Sequence, residues 1–86
     1  MISVFFMPAF LRQLDRLEEG LINEANEKIE LFTDAENHPS LKVHRLHAPL
    51  SGWWSFSVNY KTRIVFRYDS KTLAVLLAIG DHDVYK

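Results

Sequence analysis

The chain of 86 residues contains no cysteine, only three glycines and three prolines, and no long apolar run. Without cysteine it can form no disulfide, offers no thiolate nucleophile and cannot build a zinc-thiolate site. The opening MISVFF lacks the basic start and long apolar core of a signal peptide, and no stretch approaches the roughly 18 apolar residues that span a bilayer. These absences favour a protein of the reducing cytoplasm with no membrane partner.

The length suits one domain with a single two-layer core, which we place at residues 1–86. The formal net charge of −1 conceals an uneven distribution along the chain. Residues 1–38 hold three basic and eight acidic side chains, a net charge of −5, whereas residues 39–86 hold seven and three, a net charge of +4. A basic half indicates a polyanionic partner. Glutamates on the wet faces of helices would account for part of the same asymmetry.

The first half of the chain predicts one strand and two helices. Residues 2–6 predict a short strand, and Pro8 follows where proline is accepted in the first turn of a helix. Two apolar stripes at helical spacing come next, one in each predicted helix. They consist of Phe10, Leu14, Leu17 and Leu21 in the first helix and of Ile22, Ala25, Ile29 and Phe32 in the second. Gly20 predicts the break between the two helices.

After a turn signal at residues 37–40, the period changes from helical to alternating, which indicates strands. Strands are predicted over residues 41–47, 53–59, 61–68 and 72–79, with a hairpin turn at residues 69–71 before the last. The final strand, TLAVLLAI, is apolar throughout, which is typical of a strand with both faces covered. The order predicts a two-layer α+β fold, β-α-α-β-β-β-β, with a helical hairpin packed on one face of a mainly antiparallel sheet.

If the helices cover one face of the sheet, the opposite face is exposed. Alternation along the strands gathers on that face Trp53, Ser55, Ser57, Asn59, Lys61, Arg63 and Arg67. Arginines four residues apart suit phosphate, because the guanidinium group binds it bidentately and stays charged, and Trp53 can stack on an unpaired base. We therefore predict an RNA-binding face, with an ordinary solvated strand face as the alternative. The candidate RNA-binding residues are Lys42, Arg45, Trp53, Ser55, Ser57, Lys61 and Arg67.

The histidines differ in what they can do. His44 and His47 lie three apart on a predicted strand, so they face opposite sides, and we expect no metal site. His82 follows the last strand in GDHDVYK and titrates near neutral pH. Cleavage of RNA by its own 2′-hydroxyl needs a base, a cation for the phosphorane charge and an acid for the leaving oxygen. His82 could be the acid or base, Arg63 the cation, and Tyr85 a proton donor or stacking group; a frayed tail is the alternative.

Four segments, in their order and spacing, resemble the RelE/ParE superfamily of toxins from bacterial toxin-antitoxin systems. They are PAFLRQLDRL after the first strand, LKVHRLHAPLSGWWSFSV, TRIVFRY and the ending IGDHDVYK. The similarity covers nearly the whole chain. It implies a fold of one strand, two helices and four strands, with the first strand beside the last. It also implies a cognate small antitoxin as partner.

RelE-like members cleave mRNA on the ribosome without metal, and the resemblance implies no cofactor here. It assigns to Arg63 the family arginine that steadies the scissile phosphate, to Tyr85 the C-terminal aromatic, and to His82 the proton-transfer histidine of the YafQ-type branch. Ser55 and Ser57 stand where RelE has lysines, which disfavours a lysine-based mechanism. The resemblance thus implies a ribosome-dependent endoribonuclease that inhibits translation. The alternatives are a ParE-like, non-enzymatic inhibitor of DNA gyrase and a degenerate toxin that only binds its antitoxin.

Overall fold

A computed structural model describes residues 1–47 and 52–81 of the chain. Its helices and strands follow the predicted order β-α-α-β-β-β-β. They are strand β1 (Ser3–Phe6), helices α1 (Pro8–Asp15) and α2 (Glu19–Phe32), a short 3₁₀ helix (Ala35–Asn37), and strands β2 (His44–Arg45), β3 (Trp53–Ser57), β4 (Thr62–Ser70) and β5 (Leu73–Asp81). Neither α-helix in this part of the chain is long and apolar enough to cross a membrane.

The five strands form one sheet in the order β1-β5-β4-β3-β2. β1 runs parallel to β5, and all other neighbours are antiparallel. The first strand therefore lies beside the last, as the resemblance implied. β5 is hydrogen-bonded to a strand on each side and packs against the helices, so few of its side chains reach solvent. This burial explains its nearly continuous apolar sequence.

The core lies between the two helices and one face of the sheet. Phe10, Ala25, Ile29 and Phe32 of the helices pack there with Phe56, Ile64, Phe66, Ala74, Leu76 and Ile79 of the strands. Phe32 sits at its centre, stacked on Phe56 with 4.6 Å between ring centroids and edge-on to Phe66 at 4.8 Å. Such aromatic pairs add about 0.5–1.5 kcal/mol to the effect of burial. The prediction that the helical stripes form core is confirmed except at Ile22, which is half-buried outside this cluster, and Leu21 joins the core from α2 instead of the first helix.

Gly20 does not break the helices, and that prediction is wrong. It lies inside the first turn of α2, which begins at Glu19. The break falls at residues 16–18 because Glu18 adopts an extended backbone (φ −66°, ψ 156°). The end of α1 is closed by the Arg16 N–H, which donates to the Gln13 carbonyl, and by the Leu17 N–H, which donates to the Leu14 carbonyl. Leu17, in the connection, still packs against the core, so the apolar stripe continues across the break.

The strand limits also differ from prediction in three places. The expected strand over residues 41–47 is reduced to His44–Arg45, because Leu41 turns into the core and Lys42 has a left-handed backbone (φ 57°) that interrupts extension. β3 ends at Ser57, ahead of the predicted 59. β4 and β5 are longer than predicted, so the turn between them narrows to residues 71–72 and β5 continues to Asp81.

Candidate nucleic-acid interface

The face of the sheet turned away from the helices carries the residues that alternate with the core residues; we call it the second face. Across β3 and β4 the register pairs Trp53 with Arg67, Ser55 with Val65, and Ser57 with Arg63. Directly paired residues point to the same side of a sheet, and Val65 alternates with the core residues Ile64 and Phe66. The structure thus brings Trp53, Ser57, Arg63 and Arg67 to one face, as expected.

The centre of the second face is not exposed, and in this respect the prediction is wrong. Ser55 is fully buried, and Val65, Val75 and Leu46 are nearly so, although none of them belongs to the core beside the helices. Val65 lies directly beside Ser55 in the sheet, and Val75 belongs to the same face through its pair with Arg67. Among residues 1–47 and 52–81 the Ser55 hydroxyl has no hydrogen-bond partner, and in this conformation it cannot reach RNA.

Polar and aromatic side chains surround that buried centre. Trp53 is 38% exposed, and Ser57, Arg63 and Arg67 are half-buried. Lys61 is exposed in the turn between β3 and β4, and Lys42 is exposed in the turn before β2. These six candidates therefore keep the solvent access that contact with RNA requires.

Arg45 lies apart from the other candidates. The register pairs it with Trp54, which packs against the core beside the helices. Its guanidinium carbon stands 5.5 Å from the centroid of the Trp54 ring, within the range of a cation–π contact. Arg45 therefore lies on the face of Trp54, opposite to the face that carries Trp53. The predicted RNA-binding set is thus divided between both sides of the sheet.

Arg63 is held by the turn between β3 and β4. Its Nη1 donates to the carbonyl oxygens of Asn59 at 2.6 Å and Thr62 at 3.3 Å. The Asn59 Oδ1 accepts from the backbone N–H groups of Lys61 and Thr62, and its Nδ2 donates to Glu24 Oε1 at 3.1 Å. Asn59 is therefore not a free polar residue of the second face, as its strand position suggested. It shapes the turn that holds Arg63 and ties that turn to α2, and an asparagine between two strands is the signal that could have indicated it.

His44 also lies on the second face, although its spacing from His47 bears only on metal binding. It pairs with Ser55 across β2 and β3 and is exposed. Its Nδ1 lies 2.9 Å from the Lys42 carbonyl oxygen. Because a carbonyl only accepts, Nδ1 carries the proton, which leaves Nε2 as the proton-accepting nitrogen. Among residues 1–47 and 52–81, no three histidine, aspartate or glutamate side chains come close enough to bind a metal ion together.

The end of β5 lies beside Arg63. Gly80 pairs with Arg63 and Asp81 with Thr62, two residues beyond the predicted end of the strand. His82 and Tyr85, the other two predicted catalytic residues, lie outside the described residues. What the structure establishes is that the strand leading to them ends next to the arginine predicted to act with them.

A separate cavity of about 740 Å³ lies at the opposite end of β4, on the side of the helices. Asp34, His38, Tyr68 and Lys71 are among its lining residues, and burial raises the pKa of Tyr68 above its ordinary value of 10.0. Ser70, also at this cavity, is seven residues along β4 from Arg63, a separation of about 23 Å. None of the predicted site residues within the described ranges lines it.

The same architecture occurs in solved toxin structures. The toxin-antitoxin complex RelBE2 from Mycobacterium tuberculosis matches with a TM-score of 0.76 and 23% identity over 94% of this chain and 98% of that one. YafQ from E. coli matches with a TM-score of 0.76 and 12% identity over 96% of each chain. The YoeB-YefM complex from Staphylococcus aureus matches with a TM-score of 0.73 and 16% identity over 95% of this chain and 98% of that one.

Comparison of the sequence with family models and with curated proteins finds no match. Identities this low establish a shared fold, and the match covers nearly the full length of each protein compared. The chain has the α+β fold of the RelE, YoeB and YafQ toxins.

Proposed function

We propose that this protein is the toxin of a type II toxin-antitoxin system, that it acts in the cytoplasm, and that it cleaves mRNA bound to the ribosome. The fold it shares with RelE-type toxins supports a toxin role. The observation that carries the ribonuclease proposal is the position of Arg63. It lies on the second face, held by the turn carbonyls, beside the end of the strand that leads to His82.

The proposed reaction is attack of a 2′-hydroxyl on the adjacent phosphorus. A bond forms between the 2′-oxygen and phosphorus while the bond to the 5′-oxygen breaks, which leaves a 2′,3′-cyclic phosphate and a 5′-hydroxyl. A base takes the 2′-hydroxyl proton, and an acid protonates the leaving oxygen. We assign these two roles to His82 and to His44, whose Nε2 is available as an acceptor, with Tyr85 as a further proton donor or stacking group.

Arg63 serves the charge that develops on the phosphorane oxygens. Its Nη1 is engaged by the turn, but Nε and Nη2 retain N–H donors for phosphate. Fixed donors aimed at developing charge stabilise a transition state because they need no reorganisation during the reaction. The turn contacts thus pre-orient the cation that the chemistry requires.

Inhibition of DNA gyrase is a second candidate function, and the two serines on β3 favour it. Ser55 is buried and Ser57 half-buried, at positions where the resemblance implies lysines in RelE. The second face therefore offers fewer cations to RNA than that branch of the superfamily. A protein that binds gyrase without cutting RNA would not need those lysines.

Two assays on the same purified protein separate these functions: mRNA cleavage on translating ribosomes, and supercoiling by DNA gyrase. We expect cleavage and unchanged supercoiling. His82→Ala should lower the cleavage rate by about 10²-fold or more, as for loss of a general acid or base. Arg63→Ala should abolish cleavage while its thermal unfolding midpoint stays near wild type. Arg12→Ala, which removes an exposed arginine of α1, is the matched control and should cleave normally.

Two results would contradict the proposal. One is inhibition of gyrase by a protein that leaves ribosome-bound mRNA intact. The other is wild-type cleavage by His82→Ala, which would remove the histidine from the reaction. Unfolding of Arg63→Ala would instead show that this side chain is structural.

A further inference from the structure

Four residues form a row across the sheet on the second face, at a distance from Arg63. The register places Phe5 of β1 beside Val75 of β5, Val75 beside Arg67 of β4, and Arg67 beside Trp53 of β3. All four side chains share one side of the sheet because paired residues point the same way. Phe5 belongs to this row because the β1–β5 register sets it beside Val75.

The two ends of the row are exposed aromatic rings. Phe5 is 54% and Trp53 38% exposed, whereas Val75 between them is buried. Arg67 is half-buried beside Trp53. Within residues 1–47 and 52–81, neither ring pairs with another aromatic ring or with a cation. The row therefore offers two open ring faces with an arginine between them.

Distances within the sheet separate the row from the proposed reaction centre. Arg67 is four residues along β4 from Arg63, or about 13 Å. Phe5 and Trp53 are three strand spacings apart, or about 14 Å. Neighbouring bases in one strand of a duplex are only about 3.4 Å apart. The two rings thus face different nucleotides, and both lie away from a phosphate held at Arg63.

We propose that this row is a second RNA subsite, in which Phe5 and Trp53 each stack on an unpaired base and Arg67 binds a phosphate between them. The inference rests on the proposed function, because it extends the RNA path across the same face. Any base has a face on which an aromatic ring can stack, and the guanidinium fork matches phosphate. Paired bases in a helix do not offer those faces, so the ligand is single-stranded RNA.

A protein partner is the competing occupant of this row. An anchor site for a protein would be expected to present a contiguous apolar patch at its centre. Here the exposed rings are about 14 Å apart, with an arginine and a buried valine between them. The alternation of ring, cation and ring favours a polyanion that carries rings of its own.

Binding of two RNA probes tests the subsite directly. The probes are fluorescein-labelled dodecauridylate and an abasic strand of the same length, titrated with protein and followed by anisotropy. Phe5→Leu and Trp53→Leu remove a ring but keep an apolar side chain, while Phe5→Tyr and Trp53→Phe keep a ring. Leu11→Ala, which shortens a 48% exposed leucine on α1, is the control.

We expect each leucine variant to bind dodecauridylate about 5- to 140-fold more weakly than wild type, the range for loss of one base–aromatic stack. Affinity for the abasic strand should not change, and the ring-keeping variants and Leu11→Ala should match wild type. Equal binding of both probes by wild type, or wild-type affinity in the leucine variants, would overturn the subsite. If the leucine variants bound the antitoxin more weakly but bound dodecauridylate like wild type, the row would belong to the protein partner, and the RNA subsite would be wrong.

The ribosomal cleavage assay keeps this inference distinct from the proposed function. If wild type cleaves and both leucine variants cleave with unchanged KM, the subsite is wrong and the ribonuclease stands. If wild type does not cleave but loses affinity for dodecauridylate when either ring is removed, the subsite stands and the ribonuclease is wrong. The thermal unfolding midpoints of the leucine variants are compared with that of Leu11→Ala to detect any loss of fold. If a leucine variant does not fold, Phe5→Tyr and Trp53→Phe test the subsite instead, because both keep a ring and should bind dodecauridylate like wild type.

Discussion

Ser55 carries a fully buried hydroxyl that has no hydrogen-bond partner within the part of the chain that the structure describes. Strand alternation correctly places Ser55 on the second face, but alternation alone cannot tell whether that face is wet. The residue beside it across the sheet, Val65, is also buried and comes from a different strand. A buried hydroxyl left unpaired costs about 1–3 kcal/mol.

Removing this hydroxyl should therefore stabilise the protein. We expect Ser55→Ala to raise the free energy of unfolding by about 1 kcal/mol or more, because alanine keeps the methylene group and has nothing to desolvate. Ser57→Ala, a half-buried serine on the same strand and face, should change it by less than about 0.5 kcal/mol. Urea unfolding of the three proteins measures both values. A less stable Ser55→Ala would show that the hydroxyl has a partner in solution.

Asn59 and Arg63 show both the success and the failure of prediction for single residues. Alternation from Ile64 and Phe66 was enough to put Arg63 on the correct face. It failed for Asn59, because the asparagine side chain bonds to the backbone of its own turn and to Glu24 thirty-five residues away. A local hydrogen bond outweighed the strand pattern there, and the contact with α2 depends on how the helix packs.

At the scale of elements, α1 completes the edge of β5. β1 is shorter than β5, and its last pair joins Phe6 to Leu76. Beyond that point the Ile79 N–H is bound by a helix side chain instead of a strand, since Gln13 Oε1 accepts it at 2.9 Å. The helix thus secures the stretch of β5 that leads to Gly80 and Asp81, beside Arg63.

Replacing Gln13 tests this role. Gln13→Leu should lower the free energy of unfolding by about 1–3 kcal/mol, because the partly buried Ile79 N–H loses its acceptor. It should also speed hydrogen exchange of that amide, since the end of β5 can then open locally. Gln13→Glu keeps an acceptor oxygen and should stay near wild type. Slow exchange at Ile79 in the leucine variant would mean that the end of β5 is held by other contacts.

Helices and strands were mostly predictable because their patterns are local. Pro8 and the stripe from Phe10 indicated α1, and the alternation in TRIVFRY indicated β4 and its core face. The boundary errors have a common cause. At Glu18 and Lys42 the backbone departs from the neighbouring element next to a leucine, Leu17 or Leu41, that packs into the core. The helix-breaking preference of glycine at position 20 gives no information about these tertiary contacts.

For the whole molecule, the charge asymmetry corresponds to different elements of the fold. The acidic side chains concentrate in residues 1–38, which contain both helices, whereas the basic ones concentrate in the later strands and turns. RelBE2, one of the proteins with this fold, was solved as a toxin-antitoxin complex, and YoeB, another, was solved in complex with YefM. A small domain with a limited core gains proportionately from a bound partner.

We therefore expect a small protein encoded beside this chain to bind it and block mRNA cleavage. At a free concentration 100 times its Kd, such a partner should add about 2.7 kcal/mol to the free energy of unfolding. Co-purification followed by urea unfolding, with and without the partner, measures the gain. An antitoxin from an unrelated system is the control and should leave both stability and cleavage unchanged. If neither neighbouring gene product binds, the antitoxin proposal is wrong.

The local pattern of residues determined much of this protein. The absence of cysteine excluded disulfides and thiolate chemistry, and the two helical stripes and the alternating strands were enough to predict an α+β fold with Arg63 opposite the core. Only the tertiary structure decided that Ser55 is buried, that Asn59 holds the turn around Arg63, and that Phe5 shares a row with Arg67 and Trp53. The physical reason is that burial and strand register arise from contacts between segments far apart in the chain, which no local periodicity encodes.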